Sequence, residues 1–140
     1  MSASPGAYLT SIQPGVWYKI GDNEWMLPVF VNATITANAN YGPFIAPNPH
    51  QIITNIVLTV SAVSGTSPTL TVDYIVYDVV AAINGVYEGG WSGSWFSNVS
   101  ATGTYNSYGT YTFYGVFGVS VTVGGTSPSF TATLTIYMMT

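Results

Sequence analysis

Charge is what this sequence has least of. The 140 residues contain no arginine and one lysine, and only 4% of positions are charged: Lys19, Asp22, Glu24, Asp73, Asp78 and Glu88. An average globular domain carries about 25%. A single lysine cannot neutralise a row of phosphates, which excludes nucleic-acid binding. It also leaves no polybasic anchor for a membrane surface. Cysteine is absent, so disulfides, thiolate chemistry and cysteine metal sites are excluded, and the redox compartment is not indicated. The first twenty residues show no basic segment followed by an apolar one, so no secretory signal is expected. The longest apolar runs, such as residues 72–83, are too short for a spanning helix and are interrupted by Asp73 and Asp78.

What is present is apolar and β-forming. Hydrophobic residues make up 48% of the chain, enough to build a core and too many for disorder. Residues 1–140 read as one domain without a linker. With so few charges, the surface must be made of Thr, Ser, Asn, Gly and Tyr. Such a surface offers little repulsion between copies. It suits a protein packed against its neighbours or covered by sugar.

One motif occurs twice. In "NIVLTVSAVSGTSPTLTVDYIVYD", Ile56, Leu58, Val60 and Ala62 alternate with Val57, Thr59 and Ser61, then a turn-forming cluster precedes Leu70, Val72, Tyr74 and Val76. In "VSVTVGGTSPSFTATLTIYM", Val119, Val121 and Val123 lead into the same cluster, followed by Phe130, Ala132, Leu134 and Ile136. A period of two with β-branched residues predicts strands over 56–63, 70–77, 116–123 and 130–137. Gly, Ser and Pro predict hairpin turns at 64–69 and 124–129. Leu70, Val72, Phe130 and Leu134 should be buried. The incoming strands differ in phase, even-numbered against odd-numbered, so the second copy should contain a bulge or a different loop. Either the unit is duplicated or one good loop is used twice.

Other segments are also strand-like. "GVWYKI" precedes a turn at "GDNEW", and Pro28 makes the start of the next strand an edge or a break. Three prolines make "YGPFIAPNPHQ" an irregular loop. Asn84-Gly85 is a turn signal. No stretch has a helical period with caps. Seven to nine short strands predict an all-β, single-domain antiparallel β-sandwich, of jelly-roll or immunoglobulin-like topology.

Catalytic constellations are missing. His50, the only histidine, has no carboxylate or nucleophile beside it in sequence and reads as a surface loop residue. Asp73 and Asp78 lie five apart on one strand and so face opposite sides. Asp22, Asn23 and Glu24 read as a solvated turn; calcium there would need ligands from elsewhere. No base stands ready to orient a serine or threonine. An enzyme is therefore not expected, and neither is a cofactor or metal.

Aromatics cluster late in the chain. Residues 87–117 hold Tyr87, Trp91, Trp95, Phe96, Tyr105, Tyr108, Tyr111, Phe113, Tyr114 and Phe117 among Gly, Ser and Thr. Phe113 and Phe117 read as core. Trp91 and Trp95 look like loop residues, and with Phe96, Tyr105 and Tyr108 they form the candidate contact surface. Its partner would be a neighbouring subunit or the flat face of a sugar. Two sequons, at Asn32 and Asn98, are candidate glycosylation sites, Asn98 the better one because its surroundings read as a loop.

The segment "AVSGTSPTLTVDY", repeated weakly as "VTVGGTSPSFTATLTI", resembles a strand-turn-strand stretch in β-sandwich virion proteins of tailed phages and related viruses. That resemblance covers about fifteen residues. It implies a structural role in head, tail or decoration components, with no catalytic residues. The near absence of charge points further, to an archaeal virus of a hot, acidic setting. A virion protein also accounts for a surface of extracellular character without an export signal. It is made in the host cytoplasm and leaves by assembly. The expected function is an outer capsid, vertex, spike or decoration subunit, whose partners are other copies of itself and other virion proteins. The alternatives are an extracellular or cell-surface filament subunit, pilin-like in its strand exchange, and a carbohydrate-binding module with Trp91 and Trp95 as its platform.

Overall fold

The computed structural model describes residues 13–45, 51–77, 89–113 and 116–139. Their regular elements are seven strands: β1 (Tyr18–Gly21), β2 (Glu24–Ile35), β3 (Ala39–Ile45), β4 (Gln51–Tyr77), β5 (Gly89–Val99), β6 (Gly103–Phe113) and β7 (Val116–Met139). His50, Asp78, Asn84-Gly85, Tyr87, Glu88 and Tyr114 lie outside the described residues, as do the side chains of Trp91, Tyr111 and Phe113. Asp22 and Asn23 form the turn between β1 and β2, as the sequence predicts.

The predicted hairpins are not there. β4 runs for 27 residues and β7 for 24, and each passes straight through its Gly-Thr-Ser-Pro motif. The two long strands pair with each other, from Ile52↔Met139 to Val76↔Phe117. The motifs meet at the middle, where Thr66 lies opposite Thr126. A local pseudo-twofold relates the strands at this point: Ser64↔Ser129 corresponds to Gly124↔Thr69, and Val63↔Phe130 to Val123↔Leu70. Gly65 and Gly125 have φ of 111° and 99°, and Ser67 and Ser127 of 50° and 48°. A Cβ on Gly65 would stand 2.6 Å from the Ser127 carbonyl oxygen; on Gly125 it would stand 2.5 Å from that of Ser67. Each glycine therefore seats the other motif's backbone. The motif recurs because its two copies are each other's partners.

The crossing divides one continuous sheet into two halves. In the first half, β1 and β2 lie on the later part of β7, which pairs with the early part of β4, which pairs with β6. In the second half, β3 lies on the early part of β7, which pairs with the later part of β4, which pairs with β5. Split at the crossing, β4 and β7 supply two strands to each half. The result is an antiparallel β-sandwich with the two four-stranded layers of a jelly roll, β1 being an extra edge on one of them.

One core fills the space between the layers. It takes Leu27, Phe30, Ile56, Leu58, Leu134 and Ile136 from the first half, and Val72, Phe96, Phe117, Val119 and Val121 from the second. Leu70, Val72, Phe130 and Leu134 are fully buried, as expected. The rings of Phe30 and Tyr41, one from each layer, sit 5.1 Å apart. The phase difference between the two copies has its cause in the first one, not the second. Ser61 is an extra residue of β4 between Val60↔Ala132 and Ala62↔Thr131, and its hydroxyl donates to the Thr131 carbonyl at 3.2 Å.

Candidate functional site

The predicted contact residues do not form one surface. Trp91 and Trp95 lie on strand β5, not in a loop. Trp91 pairs with Val76. The Trp95 ring is buried and stacks on Tyr74 at 5.0 Å, and its indole N–H finds no acceptor. Phe96 is buried as well, opposite Val72. Tyr105 is half-buried against the core and donates its hydroxyl to the Ala101 carbonyl at 2.7 Å. Tyr108 alone of the described candidates stands out in solvent, 74% exposed. A tryptophan sugar platform on Trp91 and Trp95 is therefore corrected: Trp95 is packed inside the sandwich.

The sequon asparagines have a structural task that sequence reading missed. Asn32 and Asn98 adopt φ of 46° and 53°, a left-handed conformation that asparagine tolerates better than most residues. Each is the extra residue of a bulge, in β2 between Phe30 and Ala33 and in β5 between Phe96 and Val99. The Asn32 backbone N–H donates to Thr133 Oγ1 at 2.9 Å, and that of Asn98 to Thr71 Oγ1 at 3.1 Å. The shared spelling, Phe-Val-Asn and Phe-Ser-Asn before Ala33 and Val99, is the sequence signal of this second repeat.

β6 forms an open edge. Its one strand partner among the described residues is β4. Thr104, Asn106 and Tyr108 are exposed along it, and residues 103–113 contain neither charge nor proline. Natural edge strands are normally blunted by charge, proline, bulges or short length. β6 carries one register shift, between Tyr108 and Tyr111, whereas the other edges are blunted further: β1 is four residues long and carries the exposed Lys19, β3 contains Pro43, and β5 is broken by three register shifts.

A cleft of about 550 Å³ lies on the outer face of the second layer and spans its four strands. Asn40, Ser120, Asp73 and Ser94 stand in register from β3 to β5. The Ser94 hydroxyl bonds the Asp73 carboxylate. Ile75 lies opposite both Gly118 and Ser92 in the next row. Tyr77 lies close over Gly118, its hydroxyl 3.2 Å from where a Cβ would be. Among the described residues no cluster of acidic or imidazole groups suits a metal ion, and no helix is long and apolar enough to cross a membrane.

Comparison with known proteins adds a likeness of shape. No protein-family model and no curated protein matches the chain. Among solved structures, it is similar to a chain in the structure of infectious bursal disease virus Gt strain, at 8% identity and a TM-score of 0.48. The match covers 85% of this chain and 30% of that one.

Proposed function

We propose that this chain is a structural subunit of a virion, working by self-assembly and carrying out no reaction. The observation that carries the reading is the open β6 edge in a chain with 4% charged residues. An edge strand without charge or proline offers its backbone N–H and C=O groups to another strand. Little charge must be stripped of water when copies meet, and lateral packing is what a shell or spike requires. The jelly-roll architecture is compatible with this role without deciding it, since both capsid and lectin domains use it. The reading rests on the surface and not on the likeness of shape. Assignment to a phage or an archaeal virus would rest on composition and on the Gly-Thr-Ser-Pro segment, which is a strand crossing here and not a hairpin.

The test places like charges along the edge. Wild type should form oligomers that grow with concentration and persist in high salt, because few ion pairs are available to screen. An Asn106→Lys, Tyr108→Lys double variant should remain monomeric with an unchanged melting temperature. Size-exclusion chromatography and particle imaging read both. A wild type that stays monomeric at high concentration overturns self-assembly, and a double variant that assembles like wild type removes the β6 edge from it.

A further inference from the structure

We propose that the cleft on the outer face of the β3–β7–β4–β5 layer binds an uncharged sugar residue. This goes beyond the assembly reading and does not depend on it. The polar row Asn40, Ser120, Asp73, Ser94 crosses four neighbouring strands. Strands lie about 4.8 Å apart, so neighbouring members of the row can reach alternate, not adjacent, hydroxyls of a pyranose ring, and the whole row is longer than one ring. Its chemistry is mixed: the carboxylate accepts only, the amide donates and accepts, and the serines do both. A hydroxyl group, itself donor and acceptor, satisfies all of them. The neighbouring row is less polar, with Ile75 between Gly118 and Ser92. Gly118 gives room for the Tyr77 ring and Ile75 to close over it, and their outer surface is a fit for the C–H face of the same sugar.

The competing ligand chemistries match less well. Among the described residues Asp73 is the only acidic one lining the cleft, whereas calcium takes six to eight oxygens, usually with several carboxylates. An acidic sugar would meet the Asp73 charge with no cation beside it, because the single lysine sits on β1 in the other layer. Asp73 is also held in place: Ser94 bonds it, so the acceptor is oriented before any ligand arrives.

Backbone amide NMR during titration with galactose, glucose, mannose, N-acetylglucosamine and fucose tests the site, with sialic acid as the charged control. The expected result is saturable shifts confined to residues 40–43, 73–77, 92–94 and 118–120, with at least one neutral sugar and not with sialic acid. Asp73→Ala should weaken binding about tenfold to a hundredfold, the range for a lost hydrogen bond to a charged group. Gly118→Val should abolish it by pushing the Tyr77 ring and Ile75 out of place. Both positions face outward, and thermal melting confirms that the variants fold; should Gly118→Val fail to fold, Ser120→Val tests the row in its place. If none of the neutral sugars moves these amides, the proposal falls. It falls equally if binding survives in the variants, or if Asp73→Ala impairs assembly while no sugar binds.

Discussion

Gly65 and Gly125 are the residues on which the whole crossing depends. Both need a backbone conformation that side chains resist, and both lie where a Cβ would strike the opposing strand's backbone and not a flexible side chain. Gly125→Ala should therefore cost at least about 1–2 kcal/mol from conformation alone, with the clash at 2.5 Å adding to it. Chemical denaturation measures this; a loss below about 0.5 kcal/mol, the scatter of ordinary surface changes, would show that the strands can part there without harm. Tyr41 carries a second residue-scale consequence. Burial pushes its phenol above the ordinary 10.0. The unfolded chain then ionises first, so this contribution to stability is complete below about pH 10 and declines as pH rises through the folded value. Wild type should lose stability more steeply above pH 10 than Tyr41→Phe, which has no proton to release, and equal slopes would refute the assignment.

At the scale of elements, the sequence disclosed composition of strands better than their connection. The period of two placed Leu70, Val72, Phe130 and Leu134 inside, because alternation reports which face is apolar whatever the strand pairs with. It could not reveal that Gly-Thr-Ser-Pro carries the chain onward. The same residues that reverse a chain also kink it, and only the backbone of the other copy, close against each glycine, decides between them. β5 was obscured for a related reason: Gly, Ser and Trp in "GGWSGSW" have loop composition, but the strand lies on β4 and needs small residues there. A Cβ on Gly93 would stand 2.7 Å from the Tyr74 hydroxyl. The Asn32 and Asn98 bulges were legible as sequons and not as turns of the backbone, because a left-handed residue inside a strand has no periodic signature. Of the candidate site, the polar row was out of reach, since its four members come from four separate segments.

For the molecule as a whole, the pairing is almost entirely between the two parts of the chain. β2 and β3 lie on β7, β5 and β6 lie on β4, and β4 lies on β7; the β1–β2 ribbon alone pairs strands of the same part. Cleavage between Tyr77 and Gly89 should leave two fragments that stay associated under native conditions, yet each should be unfolded when isolated. Mixing the denatured fragments should restore the β-sheet circular dichroism signal of the intact protein. A fragment that folds alone would contradict the interlocked pairing. Refolding of the intact chain should be slow, on the order of milliseconds to seconds, because distant segments must meet before any layer closes.

The place of β7 in the chain sets a timetable. Three other strands take their hydrogen bonds from it, and it is the last of the seven to be synthesised. Until it leaves the ribosome, β2, β3 and β4 have no common partner, and their apolar faces must be shielded by other means. Neither layer of the sandwich can exist before β7 has been made. If the chain assembles as proposed, its contact surface is complete only after β7 has been made.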